Sequence, residues 1–473
     1  MLQQGMTFAQ RYVLLDQKGQ GGMATIFRAL DLETNQMVAV KHLNLPENLS
    51  EAERQTRIER FESEVQILGL LNHANIMAIY EYIVQSDNHV MVLEMLDGQE
   101  LKPFVQSNNL TMRQKLLLLD QLMDALEYVH SHGIIHCDLK PENVMVINGD
   151  TVKLLDFGIA RIEGSETPAS RDALVGTVAY MSPEQLQNSK ISHNQIDIYS
   201  LGVVMYEILT GRLPFDADNP GTAMLMILNN EPIPPDQLNP LLGQDLGTLI
   251  MTCLQKRTQH RFRQCRQLRQ LMRVVIERSF PETAPNGPPE RSYLPKIKPF
   301  EHFGLLPEFE QLVRAGASGQ CILWNTFMEG SLWLDQGALI HIDIKNKAYP
   351  PLVAFSSLSV WDSGSLMFFA RSAPPAKPLE MPQGEELLSE ARNYLVKYFE
   401  FWEFYQTSDI PEIIMMPSAA SRLPDASLAL LDLIDGKLCV GQLYAAMPHE
   451  PLAFMEGMKS LEDRQCIFVE RYR

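Results

Sequence analysis

Residues 136–143 read HCDLKPEN. An acid, a lysine and an amide stand at fixed offsets in it: Asp138, Lys140 and Asn143. That layout suits the movement of a phosphoryl group. Asp138 can orient a hydroxyl and accept its proton. Lys140 can neutralise charge on the transferring group, and Asn143 can ligate a metal ion. A second stretch, LLDFGIAR at 154–161, supplies Asp156 as a further metal ligand beside Phe157 and Gly158. Such a reaction asks for little covalent chemistry. Positioning, metal ions and charge compensation supply most of the rate. Either stretch alone would also suit a plain surface loop. The two together, in this order and spacing, do not.

Upstream, KGQGGMATIF (18–27) lies between two predicted strands, with glycines at 19, 21 and 22. Glycine lets the backbone approach a triphosphate closely. Ala24 stands where G-x-G-x-x-G has its third glycine. Alone, this stretch reads equally as a hairpin turn. VAVK (38–41) ends a strand on Lys41, which can reach the α and β phosphates but needs a carboxylate to hold it. The helical segment beyond offers Glu64 in RFESEVQIL. A glycine turn, a strand lysine and a helix glutamate in that order argue against an idle lysine.

The bulk numbers bound the answer. The chain has 473 residues, 45% of them apolar and 21% charged, enough for several cores. A formal net charge of −18 argues against nucleic-acid binding, which needs a basic surface. No apolar run reaches the length of a spanning helix. The start, MLQQGMTFAQRYVLL, lacks the basic-then-apolar pattern of a secretory signal. Six cysteines are scattered without a C-x-x-C pair, which speaks against metal ribbons and disulfide frameworks and fits a reducing cytosol. A cytoplasmic protein without membrane insertion is expected.

Residues 11–45 alternate apolar and polar like strands joined by turns, and 51–71 have helical period. Two short apolar runs follow, at 75–84 and 89–96, and from 111 to about 278 most segments read as helices. The proline-rich stretch from 281 to 302 reads as a linker. Beyond it, EGSLWLDQGALIHIDI and LSVWDSGSLMFFA read as hairpins turning at Asp335-Gln336-Gly337 and at Asp362-Ser363-Gly364. A helix-like segment (384–405) and three short helices complete the chain.

These motifs carry a resemblance. Residues 11–278 resemble a bacterial eukaryotic-type (Hanks-type) serine/threonine protein kinase: the glycine loop, VAVK, Glu64, HCDLKPEN, DFG, GTVAYMSPE, DIYSLGVVMYEILTGRLPF and Arg261 in KRTQHRF. The resemblance implies an α+β, bilobal fold over 1–280, with a strand-rich N-lobe to about 97 and a helical C-lobe from 98. It implies ATP with Mg²⁺ or Mn²⁺, and protein substrates bearing Ser or Thr. It implies Lys41 paired with Glu64, Asp138 as catalytic base, and Asn143 and Asp156 as metal ligands. Gly19, Gly21, Gly22, Ile26, Ala39, Lys41, Glu64, Glu94, Leu96 and Asp156 would contact the nucleotide. Leu93 would be the gatekeeper, and Glu94, Met95 and Leu96 the hinge. Glu184 and Arg261 would pair, and Asp197 would brace the catalytic loop. DLKPEN and Thr177 in GTVAYMSPE favour serine or threonine as acceptor. Glu100 and Glu142 leave open a preference for arginine or lysine near it.

Cys137 departs from the family's arginine, which holds a phosphate on the activation loop. Cysteine cannot do this, so phosphorylation at Ser165, Thr167 or Ser170 is not expected to be the main switch. A catalytic thiol is not expected either.

Residues 303–410 resemble a PATAN-type regulatory domain through GSLWLDQGALIHI and LSVWDSGSLMFFA, with Gly330, Gly337, Trp361, Gly364 and Phe368 in register. An unrelated small α+β domain fits equally. Phe399, Phe401, Trp402, Phe404 and Tyr405 are too many aromatics for one buried face, so some would meet a neighbouring domain or partner. Residues 411–473 resemble a winged-helix module, read as packing or partner-binding. The favoured function is an active kinase with a C-terminal regulatory or docking region that meets a signalling partner. The alternative is a pseudokinase scaffold that binds partners with little catalysis.

Overall fold

The computed structural model describes residues 2–162, 178–187, 193–281, 297–301 and 305–370, apart from single or paired positions at 47, 86, 326–327, 360 and 362. Beyond 370 it describes 410–413, 451–463, 467–470 and scattered residues between 387 and 449. Ser165, Thr167, Ser170, Thr177 and the aromatic run 399–405 lie outside the described residues. Chain contacts divide the molecule into two units. One comprises Met1–Leu254 with Gln264–Tyr293, the other Gln255–Arg263 with Leu294–Arg473.

The first unit opens with strands β1 (Thr7–Phe8), β2 (Tyr12–Gln20), β3 (Ala24–Asp31) and β4 (Gln36–Leu43). Helix α1 (Glu51–Leu70) follows, then β5 (Ile79–Gln85) and β6 (Asn88–Glu94). The strands form one antiparallel sheet in the order β1-β2-β3-β4-β6-β5. Its alternating residues bury Tyr12, Leu14, Phe27, Ala29, Val38, Val40, Val90 and Val92 as one cluster. That period of two is what the sequence carried. Helix α1 starts where Ser50 and Glu53 form a reciprocal capping box, satisfying two otherwise orphaned donors.

The rest of this unit holds β7 (Gly98–Glu100), α2 (Leu101–Ser107), α3 (Met112–Ser131), β8 (Ile134–Ile135), β9 (Val144–Ile147), β10 (Thr151–Leu154) and β11 (Arg161–Ile162). Helices α4 (Pro183–Gln187), α5 (Gln195–Thr210), α6 (Pro220–Asn229), α7 (Pro235–Leu238), α8 (Gly243–Cys253) and α9 (Cys265–Ser279) complete it. A capping box of Thr111 and Gln114 starts α3, whose buried face runs from Leu116 to Val129. Nearly all of α5 is buried, so it reads apolar on every side. The short strands β7 to β11 escaped the sequence reading, being only two to four residues long. They place the chemistry. β8 ends at Ile135 and β9 begins at Val144, bracketing residues 136–143, while β8 pairs with β11 across Ile135↔Arg161.

In the second unit, β12 (Ile297–Glu301), α10 (Leu305–Arg314), β13 (Gly319–Trp324), β14 (Glu329–Asp335), β15 (Ala338–Ile344), α11 (Pro351–Ser359) and β16 (Ser363–Ala370) are followed by β17 (Ile410–Ile413), α12 (Pro451–Asp463) and β18 (Ile467–Glu470). An antiparallel sheet runs β12-β16-β13-β14-β15. The expected turn between β14 and β15 is present. Gln336 and Gly337 have φ of 48° and 81°, the left-handed pair of a tight hairpin. A Cβ on Gly337 would come within 2.5 Å of the Val313 carbonyl oxygen, so glycine is required there twice over.

Two expectations fail. The linker does not extend to 302, because 297–301 is an edge strand. Pro299 reads as a breaker, but an edge strand tolerates a missing N–H. The second hairpin is absent. Leu358 and Ser359 end helix α11, and β16 pairs with β12 and β13 instead. Ala354, Phe355 and Leu358 recur at helical spacing and bury into the core with Phe309, Leu323 and Leu332. Among the last residues, the expected helix at 450–461 is α12, while β17 pairs with β18.

The same unit takes in Gln255–Arg263. Trp324 Nε1 donates to the Arg261 carbonyl oxygen at 2.7 Å, and its ring stacks on Phe262 at 5.8 Å with 17° between planes. Ser365 Oγ donates to the His260 carbonyl oxygen at 3.3 Å. The sequence reading kept all of 1–280 together.

Candidate active site

A cavity of about 770 Å³ in the first unit is where the motif residues meet. Lys41 reaches it from β4. Its Nζ donates to both carboxylate oxygens of Glu64 on α1, at 2.6 and 2.8 Å. Burial works against the Lys41 charge, but Glu64 and Asp156 more than offset it and hold the ammonium above its usual range. Burial, with the Asp156 charge, pushes the Glu64 carboxyl above its ordinary range in spite of Lys41. The two hydrogen bonds tie one strand to one helix.

Residues 136–143 form the opposite wall. Asp197, fully buried at the start of α5, accepts the N–H groups of His136 and Cys137 at 2.8 Å each. His130 Nε2 lies 2.9 Å from the same carboxylate. Burial opposes ionisation of Asp197, yet His130, His136 and these N–H groups hold its carboxyl below the ordinary value. This is the expected brace. Within the loop, Lys140 Nζ donates to Asp138 Oδ2 at 2.6 Å. Asn143 Nδ2 donates to the Asp138 carbonyl oxygen at 2.8 Å and to Oδ2 at 3.2 Å. Asp138 Oδ1 is buried and accepts nothing among the described residues.

Asp156 enters from the end of β10. The Leu155 N–H donates to the Asn143 carbonyl oxygen at 2.8 Å, tying the two loops together. Asp156 has a φ of 54°, and its Oδ1 accepts the Gly158 N–H at 3.2 Å. Burial raises its cost of ionisation, but Lys41, that N–H, His136 and Lys140 keep the carboxyl below its usual range. Phe157 is buried against His136, ring to ring at 4.9 Å. Asn143 and Asp156 line the same cavity. No cluster of three or more His, Cys, Asp or Glu suited to a metal occurs among the described residues. Asn143 and Asp156 offer too few side-chain oxygens to enclose a cation without further ligands.

The other wall is apolar. Ile26, Ala39, Leu93, Leu96, Met77 and Met145 line it. Glu94 and Met95 are at the crossing from β6. Met77, Met145 and Leu155 were missed from sequence, although Met145 sits in the inward-outward alternation of β9. Gly21 and Gly22 line the cavity, whereas Gly19 does not. It lies inside β2 opposite Ile26, beside a register shift. Gly19 is thus a strand residue, paired with the cavity-lining Ile26. Glu184 is buried in α4; Arg261 is fully buried in the second unit, donating to the carbonyl oxygens of Gln255 and Lys256.

Cys137 has a φ of 65° and packs with Ile135, Ile159 and Ile196. Burial pushes its thiol far up, with the Asp197 charge adding to it. It is an inert core thiol.

The sequence matches the protein kinase domain family over residues 12–272, more than half of the chain. The chain belongs to that family. The kinase domain is 32% identical over 259 residues to the serine/threonine-protein kinase PrkC of Bacillus subtilis, covering 54% of this chain and 39% of that protein. It is 34% identical over 273 residues to the serine/threonine-protein kinase PknB of Mycobacterium leprae, covering 56% and 43%. A probable serine/threonine-protein kinase of Clostridium acetobutylicum is 32% identical over 265 residues, covering 56% and 40%. The chain thus spans about two fifths of the length of these curated relatives. No described helix is long and apolar enough to cross a membrane.

Proposed function

We propose that this chain is an ATP-dependent serine/threonine protein kinase acting in the cytoplasm. The observation that carries the reading is the unpartnered, buried Asp138 Oδ1, in one cavity with Lys41, Glu64, Asn143 and Asp156. A buried carboxylate oxygen without a donor is unstable unless something fills the place. A substrate hydroxyl would: it donates to Oδ1, and its oxygen attacks the γ-phosphorus as the bond to the β–γ bridging oxygen breaks. ADP leaves with that electron pair, and Asp138 takes the hydroxyl proton. Lys140 Nζ, already 2.6 Å from Asp138, bears on the transferring charge. Lys41 holds the α and β phosphates. Magnesium or manganese, held by Asn143 and Asp156, would neutralise the phosphate oxygens.

Substrates are proteins presenting a serine or threonine hydroxyl. Glu142, exposed at the cavity rim, gives basic residues near the acceptor a favourable charge. The second unit is read as the regulatory or docking part that meets a signalling partner. The test is radiolabelled ATP with the full chain and with Asp138→Asn. Phosphate incorporation by the first and not the second is expected. Equal incorporation would overturn the assignment, and nucleotide binding without incorporation in either would favour the scaffold reading.

A further inference from the structure

The glycine turn is held from outside the cavity. Three successive carbonyl oxygens at its tip have donors on one side. Asn44 Nδ2 donates to Gly21 O at 3.1 Å, Arg57 Nη1 to Gly22 O at 3.0 Å, and the Asn44 N–H to Met23 O at 2.8 Å. Arg57 Nη1 also donates to the Asn44 carbonyl oxygen at 3.2 Å. The Asn44 amide cannot turn over freely, because its Oδ1 accepts from Thr25 Oγ1 at 2.9 Å. Asn44 follows β4, the strand of Lys41. Arg57 lies seven residues before Glu64 on α1, two helical turns away and so on the same face.

A trans peptide unit points its N–H opposite to its C=O. Fixing Gly21 O and Gly22 O toward Asn44 and Arg57 therefore turns the N–H groups of Gly22 and Met23 the other way. Both residues line the cavity.

We propose that Arg57 and Asn44 are positioning residues for the nucleotide phosphates: by holding the turn's carbonyls, they aim its N–H groups at a phosphate. The proposal rests on the ATP reading above. It accounts for Ala24, since a turn oriented by outside donors has less need of a third glycine. It also makes α1 a double support. The helix carries the Glu64 that orients Lys41 and the Arg57 that orients the turn, so a shift of α1 would loosen both phosphate contacts together.

The test is direct binding of ATP and of adenosine to the full chain, wild type against Arg57→Met, Asn44→Leu and Arg57→Lys, with thermal unfolding as a check on folding. Loss of one such hydrogen-bonded support should weaken ATP binding about tenfold in Arg57→Met and in Asn44→Leu. Adenosine, which has no phosphate, should bind as before. Arg57→Lys keeps a donor on a long stem and should recover part of the loss. ATP binding at wild-type strength in both Arg57→Met and Asn44→Leu would overturn the proposal, as would equal loss of ATP and adenosine. A wild-type chain that binds no ATP would instead overturn the kinase reading beneath it.

Discussion

Asp197 Oδ1 accepts the N–H of Cys137 at 2.8 Å, and that contact fixes a residue with a left-handed backbone next to the base. A non-glycine residue with φ of 65° persists only when its surroundings hold it there. Asp197→Ala would leave two buried N–H groups without acceptors, costing at least about 2 kcal/mol. The folded Asp197 carboxyl titrates below its usual value of 3.8, so its stabilisation is complete above that value and is lost as pH falls below it. Melting temperatures of wild type and Asp197→Asn, measured from about pH 6 to about pH 3, should converge toward the acid end.

Cys137 should resist alkylation. Its thiol is buried among isoleucines and held protonated, so iodoacetamide should label it only after unfolding. Cys137→Arg should lower the melting temperature, because that cluster of isoleucines does not solvate a guanidinium. Peptide mapping and thermal unfolding read the two outcomes. Rapid native labelling of Cys137 would show the cluster to be open.

Breaking the Lys41–Glu64 pair has two separable effects. Lys41→Met should abolish phosphate transfer and also destabilise the fold by about 3 kcal/mol, because Glu64 is left buried without the partner that offsets its burial. The double variant Lys41→Met/Glu64→Gln should regain most of the stability and none of the activity. Denaturant midpoints beside a radiolabel assay separate the two.

Lys153 on β10 donates from Nζ to Glu94 Oε2 at 2.8 Å, and the same oxygen accepts the Ala78 N–H at 3.2 Å. One carboxylate at the crossing between the lobes thus ties a strand from each. Lys153→Met should raise the KM for ATP about tenfold, through a misplaced adenine wall, with kcat little changed. A fall in kcat with KM unchanged would count against it.

The site was legible where function depends on residues close in sequence. Asp138, Lys140 and Asn143 share one loop, and Lys41 and Glu64 each end or sit on an element with a clear period. The apolar alternation of β2 to β4 and the helical period of α1 were equally plain. What stayed hidden was set by packing over distance. Asn44 and Arg57 look like ordinary polar residues until the glycine turn is folded against them. Pro299 suggested a linker because nothing local says that β16 will pair beside it. Leu358 fitted a strand as well as a helix, and only the core around Phe355 decides.

The segment Gln255–Arg263 has a consequence for how the chain is made. Residues 255–263 leave the ribosome between α8 and α9, some sixty residues ahead of Trp324, whose indole Nε1 donates to the Arg261 carbonyl oxygen. Neither unit is one continuous stretch. The loop Gln255–Arg263 therefore waits, during synthesis, for a strand of its own unit that is not yet translated. A stop codon near residue 280 would leave Phe262 without its stacking partner, so a shortened gene product differs from the intact one by more than a missing appendage.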